Sequence, residues 1–312
     1  MIFEHFIITR FNLPIYNRTK AGSVSSIDIE YLRQRFDIFE RYCMPSIQQQ
    51  SCQNFKWLVL FDENTPLEFK NRVLYLHNKY EKLIPCFLNL ADYGSPDPDY
   101  VKLYNDYIAK LSVGDFEDIT DNIKEYNRVI VTPSFVRDCI VRNLEGKPEY
   151  ILTSRIDNDD AFHKDFIKIV QTEARKQSRF VLLDYIHGYR INLSSHTVCK
   201  YCYPSGHFTS LLEPNGKVFY TAMYWVHNVV DKCLPVLHLE REPLYIELVH
   251  ELNVINEEKN NSLKEYIYAL YHFKSSDFGY PTSCISTYRM FKKISVLFWS
   301  YSCSYLKYHL GI

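Results

Sequence analysis

Seven consecutive residues, Phe55-Lys56-Trp57-Leu58-Val59-Leu60-Phe61, contain a single polar side chain. A strand with one wet face would alternate apolar and polar residues. This run does not, so it reads as a strand covered on both faces, the kind found in parallel sheets packed between helices. Phe3 to Phe11 is another β-rich apolar run, ending in a loop with Pro14, Asn17 and Gly22, and Leu83–Leu90 and Tyr150–Ser154 are two more. Helical stripes separate them. Ile29, Leu32, Phe36, Phe39 and Cys43 recur at helical spacing, and Pro45 closes the pattern. Phe69, Val73, Leu76 and Tyr80 form the next stripe, opened by Thr65-Pro66-Leu67-Glu68, which reads as a capping box. Further helices are expected over Ser134–Leu144 and Phe162–Ala174.

This alternation predicts an α/β fold with a mixed, mostly parallel central sheet. The rhythm then changes. Phe180 to Tyr203 reads as strands and hairpins, and Gly206, Pro214 and Gly216 punctuate a β-rich second half. C-terminal helices are expected to follow. No Pro/Gly/Ser linker separates the halves. The acidic stretch 91–127 reads as a partly helical surface excursion whose charges form a solvated face.

A 46% hydrophobic chain of 312 residues can bury a substantial core. Its net charge of -1 argues against nucleic acid as the main partner. We expect no signal peptide and no membrane-spanning helix, because no cleavable leader pattern or long apolar run occurs. The nine Cys therefore read as reduced thiols of a cytoplasmic protein. Cys199 and Cys202 form a lone CxxC near His196; hairpin residues are favoured over a zinc site, which would need four closely spaced ligands.

The chemistry concentrates in Ile151-Leu152-Thr153-Ser154-Arg155-Ile156-Asp157-Asn158-Asp159-Asp160. Ligands of open α/β sheets sit at the carboxyl ends of strands, where Asp157 and Asp159 fall. Carboxylates at i and i+2 of an extended segment can face one divalent ion or its substrate. A calcium loop of the EF type is excluded, since Ala161 stands where an oxygen ligand is required and no Gly follows. The bland reading is a helix capped by Asp160 with two solvated carboxylates. From the residues alone both readings stay open.

A strand followed by DxD resembles the metal and nucleotide-sugar signature of GT-A glycosyltransferases. Five blocks in order, EHFIITRFNL (4–13), RFDIFERYCMPSIQQQ (35–50), FKWLVLFDENTP (55–66), ILTSRIDNDDAFHKDF (151–166) and ELVHELNVIN (247–256), resemble the bacterial putative rhamnosyltransferase family. The resemblance implies a GT-A (Rossmann-like) catalytic domain over 1–256, with the acidic insertion inside it and a helical extension over 257–312. It implies a nucleoside-diphosphate sugar donor (dTDP-, UDP- or GDP-linked), Mn²⁺ or Mg²⁺, and transfer of a sugar such as rhamnose to a glycan or lipid-linked acceptor in surface polysaccharide synthesis. Position by position, Asp157 would lie at the ribose or the metal, Asp159 would be the main metal ligand, and Arg10, Asp62 and Arg155 would meet the nucleotide. Arg155 could instead pair with one of the aspartates. His250 is the expected third ligand, ahead of His227, with Asn253 and Asn256 orienting it or binding donor oxygens. If configuration inverts, Glu213 is the first choice as acceptor base, ahead of Glu240 and Asp231.

The tail 286–312 mixes Arg289, Lys292, Lys293 and Lys307 with aromatic and aliphatic residues. It suits either a helix on a membrane surface, giving peripheral contact with the inner face of the cytoplasmic membrane, or a terminal helix packed on the domain. Two rival functions remain at this point. One is a non-catalytic carbohydrate- or calcium-binding module; the other is a sugar-phosphate or nucleotidyl transferase using the same acidic pair.

Overall fold

The computed structural model describes residues 2–13, 25–93, 97–109, 131–204, 206–223, 230, 234–250 and 262–310. Its centre is a seven-stranded sheet of order β10-β6-β9-β4-β1-β2-β3. The strands are β1 (Phe3–Arg10), β2 (Lys56–Asp62), β3 (Leu83–Leu88), β4 (Tyr150–Arg155), β6 (Val181–Tyr185), β9 (Thr209–Pro214) and β10 (Val236–Leu239). Every neighbouring pair is parallel except those made by β9, which runs antiparallel to β4 and β6. The mostly parallel α/β architecture anticipated from the apolar runs is present.

Both faces of the sheet are covered, as the uninterrupted apolar strand required. Trp57, Val59 and Phe61 of β2 pack with Leu32 and Phe36 of α1 (Ile29–Ile38), with Phe39 just after it, and with Phe69 and Val73 of α3 (Leu67–Lys79). Leu58 and Leu60 point the other way, onto Phe135, Val136 and Ile140 of α5 (Thr132–Arg142). The indole N–H of Trp57 donates to Thr9 Oγ1 at 2.9 Å, so the largest buried ring leaves no unpaired donor.

A second sheet, of order β5-β11-β7-β8, comprises Ala161–Phe162, Tyr245–Val249, His187–Asn192 and Thr197–Cys202. It packs on α7 (Leu263–His272) and α8 (Thr287–Leu310) through Tyr189, Ile191, Val198, Tyr266, Ala269 and Met290. The β-rich second half and the C-terminal helices are thus both found. Gly188 lies where a Cβ would stand 2.1 Å from the Tyr245 ring, so only glycine fits that crossing.

Several local expectations are corrected. Pro45 does not end its helix. A π-helical turn, Phe39–Cys43, follows α1 and leads directly into α2 (Met44–Gln48), so the chain stays helical through Pro45. Thr65 does not cap α3. Its hydroxyl donates to the Asp62 carbonyl at 2.6 Å, and the cap position is Pro66. Phe162 is not helical; α6 begins at Phe166 and ends at Arg175. In the acidic stretch, the expected helical part is present as α4 (Pro98–Ile108), but Asp97 pairs with Arg137 at 2.6 Å instead of being merely solvated. Residues 110–130 lie outside the described set. Cys199 is buried and Cys202 exposed, as three residues' separation on one strand dictates, so the two thiols do not share a face for zinc.

Candidate active site

β1 lies between β4 and β2 and all three are parallel, so their carboxyl ends form one edge. Arg10, Asp62 and Arg155 are the last residues of these strands, and Asp157, Asp159 and Asp160 follow β4 directly. A turn closed by the Asp160 N–H on the Asp157 carbonyl, at 3.2 Å, gathers the carboxylates. Asn158 between them points inward and donates to the Phe11 carbonyl at 3.1 Å, tying the turn to the end of β1.

Each carboxylate has its own counter-charge. Asp157 meets Arg155 at 3.3 Å and Arg10 at 3.4 Å. Asp159 Oδ2 accepts from Arg35 of α1 at 3.2 Å and lies 3.0 Å from His250 Nε2. Asp160 takes the Leu248 N–H on Oδ1 at 2.9 Å and His207 on Oδ2 at 3.2 Å. Three guanidinium groups therefore face two carboxylates, Asp157 and Asp159, while the imidazoles of His250 and His207 meet Asp159 and Asp160.

The consequences differ along the turn. Burial pushes the Asp157 carboxyl upward, but Arg155, Arg10 and His207 outweigh it and hold the group well below the usual range. Burial likewise opposes ionisation of Asp159, and Arg35 and His250 overcome it, so Asp159 also stays charged. Asp160 goes the other way. Burial and the neighbouring Asp159 charge raise it to about 8, against the pull of His207. His207, despite burial, is raised by its bond to Asp160. Both shifts describe one proton retained by the Asp160–His207 pair.

Asp160 is therefore no helix cap. The two-residue strand β5 intervenes and pairs with Tyr245 and Ile246 of β11, which brings the Leu248 N–H over the Asp160 carboxylate. Asp62 reaches the same sheet edge, where Oδ1 accepts the Asn64 N–H at 2.8 Å and Oδ2 the Ser26 hydroxyl at 3.3 Å. Glu213 is not brought to the site. It pairs in register with Ile151, four residues before Arg155 and about 13 Å back along β4. Its two oxygens accept the Tyr220 and Thr221 N–H groups at 2.8 and 2.9 Å, and burial raises its carboxyl to about 8 against those two bonds. The expectation of Glu213 as acceptor base is corrected on that geometry. Asn253, Asn256, His227 and Asp231 lie outside the described residues.

Arg35 and His207 were missed. Arg35 had a signal: it lies three residues after Leu32 and four before Phe39, a cation on a buried stripe. His207 had none, since its meeting with Asp160 depends on a loop 47 residues away.

The donor set suits a divalent cation. Ligand atoms of Asp157, Asp160 and His207 lie within 4.8 Å of one another, and Asp159 with His250 adds a carboxylate–imidazole pair beside them. Carboxylate oxygen with imidazole nitrogen is the chemistry Mn²⁺ accepts, and carboxylate oxygen alone serves Mg²⁺.

The sequence profile described as "Putative rhamnosyl transferase" matches residues 4–92 and 117–262, most of the chain. No curated protein matches it. Among solved structures, that of S. aureus TarS 1-349 in complex with UDP-GlcNAc is similar at 11% identity and a TM-score of 0.39, over 86% of this chain and 65% of that one. On the profile match, the chain belongs to the putative rhamnosyl transferase family.

Proposed function

We propose that the protein transfers a sugar, rhamnose in the first instance, from a nucleoside-diphosphate donor to a glycan or lipid-linked acceptor in surface polysaccharide synthesis. The catalytic unit is residues 1–256, acting on the cytoplasmic side. The observation that carries the reading is the turn 157–160 at the carboxyl edge of β1, β2 and β4, with two ionised carboxylates among three guanidinium groups. Such a site can take up an anionic diphosphate and a divalent cation together.

Asp157 and Asp159, with His250, would hold Mn²⁺ or Mg²⁺. Asp159 is supported by His250 beside it at 3.0 Å, and Asp160 with His207, whose ligand atoms lie within 4.8 Å of Asp157, is the alternative completion of the site. When bound, the ion supplies Lewis-acid stabilisation of the leaving diphosphate. Arg10 and Arg155 present planar forks that match phosphate oxygens and would turn from Asp157 to the donor. Asp62 and Asn253 would complete the nucleotide contacts. Arg35 keeps Asp159 charged and oriented from below.

Calorimetric titration with UDP, dTDP and GDP, each with and without Mn²⁺, tests the proposal. Metal-dependent binding of one diphosphate, lost in Asp159→Ala, is expected. Binding indifferent to both metal and Asp159 would refute it. A screen for donor hydrolysis then identifies the sugar.

A further inference from the structure

The helix α8 presents two unlike faces. Met290 is 1% exposed, and Ile294 and Leu297 pack with it against the second sheet and α7. The opposite side carries Tyr288, Phe291, Lys292, Ser295 and Trp299, spaced at i, i+3, i+4, i+7 and i+11, which places them on one helical stripe. Tyr288 is 76%, Phe291 55% and Trp299 69% exposed, and Val296 and Phe298, on either flank, are 57% exposed each. Lone exposed apolar residues are ordinary, but five on one helix face form a patch that calls for a partner.

The charge on the helix identifies the partner. Thr287–Leu310 contains Arg289, Lys292, Lys293 and Lys307 and no acidic residue, on a chain whose formal net charge is only -1. A second copy of the chain meeting this face isologously would oppose cation to cation. A cationic helix with aromatic side chains on its open face fits an anionic bilayer surface, where rings enter the headgroup layer and lysines reach the phosphates. None of the described helices is long and apolar enough to cross a membrane, so the contact is parallel to the surface. We infer that α8 docks the enzyme on anionic phospholipid through Tyr288, Phe291 and Trp299, with Lys292 as the central cation. The inference goes beyond the donor site and does not depend on it.

Sedimentation of the full chain with vesicles tests it. Phosphatidylcholine vesicles containing phosphatidylglycerol should pellet the protein, and pure phosphatidylcholine vesicles should do so at least about tenfold less well. Lys292→Glu should lower binding by roughly fivefold or more, and Phe291→Ser with Trp299→Ser should abolish it. The altered side chains are exposed, so the thermal midpoint and nucleotide affinity should not move. If Lys292→Glu loses its fold, the serine pair still decides the matter. Equal binding to both vesicle types, unchanged binding in the variants, or a dimer in free solution that the same substitutions dissolve would overturn the inference. Loss of nucleotide binding in the unaltered chain would instead count against the sugar-transfer reading alone.

Discussion

Asp159 Oδ2 and His250 Nε2 stand 3.0 Å apart although 91 residues separate them in the chain. The aspartate follows β4 of the central sheet, and the histidine follows β11 of the second. The pairing therefore depends on how the two sheets meet. The same carboxylate oxygen receives Arg35, so one atom collects an imidazole and a guanidinium.

The first prediction separates the two carboxylate–imidazole pairs. Asp159→Asn should weaken Mn²⁺-dependent nucleotide binding at least about tenfold, because the residue is ionised and beside His250. Asp160→Asn should weaken it less, since Asp160 is engaged with His207 and the Leu248 N–H and the pair retains a proton. Titration calorimetry of both variants decides. The reverse ranking would move the ion to Asp157, Asp160 and His207.

Arg35→Met should destabilise the fold. Arg35 and Asp159 side chains are only 10% and 8% exposed, and removing Arg35 leaves the buried Asp159 carboxylate with His250 as its remaining partner. A loss of roughly 3–5 kcal/mol is expected. Chemical denaturation of Arg35→Met, Asp159→Leu and the double variant measures it, and the double variant should be less damaged than the sum. Strict additivity would mean that the two charges do not support each other.

The strands announced themselves because burial on both faces forbids polar alternation, as at Trp57 to Phe61. The position of Asp157 and Asp159 at a strand end followed from local pattern alone. Asp160 did not, because Ala161–Phe162 becomes a strand only by pairing with Tyr245–Ile246, and no local rule encodes that register. Glu213 failed for a similar reason: antiparallel pairing with β4 carries it away from the edge where Asp157 sits. Of the metal-side expectations, His250 meets Asp159, whereas Asn253 falls among residues whose placement is not described.

Acid should weaken the fold through His5. Burial lowers its imidazole to about 3, and Gln171 Nε2 donates to Nδ1 at 3.4 Å, which leaves Nε2 to donate to Ser154 Oγ at 2.8 Å. A second proton on Nδ1 would set two N–H groups against each other. The folded value lies below the unfolded 6.5, so the unfolded chain binds more protons between pH 6.5 and 3. Its contribution is complete above pH 6.5 and is lost as pH falls, by about 1.4 kcal/mol per pH unit. Denaturation midpoints at pH 7, 6 and 5 should fall more steeply in the native chain than in His5→Gln. Parallel curves would show that His5 accepts a proton in the fold.

Glu213→Gln tests the correction made at β9. The two oxygens of Glu213 accept the N–H groups of Tyr220 and Thr221, and Thr221 is held at φ 58, a left-handed conformation that a threonine adopts only when its surroundings enforce it. Ala222 adds a bond from its N–H to Thr153 Oγ1 at 2.9 Å, fixing this turn to β4. A glutamine keeps one acceptor oxygen and turns an NH₂ toward the other N–H. The buried turn then loses one bond and gains a donor–donor contact, at a cost of about 1–3 kcal/mol. Because the side chain lies about 13 Å back along β4 from Arg155, the affinity for nucleoside diphosphate and metal should remain that of the native chain. Thermal melts and calorimetry on one preparation give both readings. A variant that melts normally yet turns over donor slowly would return Glu213 to the chemistry, whereas a lowered midpoint with intact binding fixes its role as the anchor of residues 220–222.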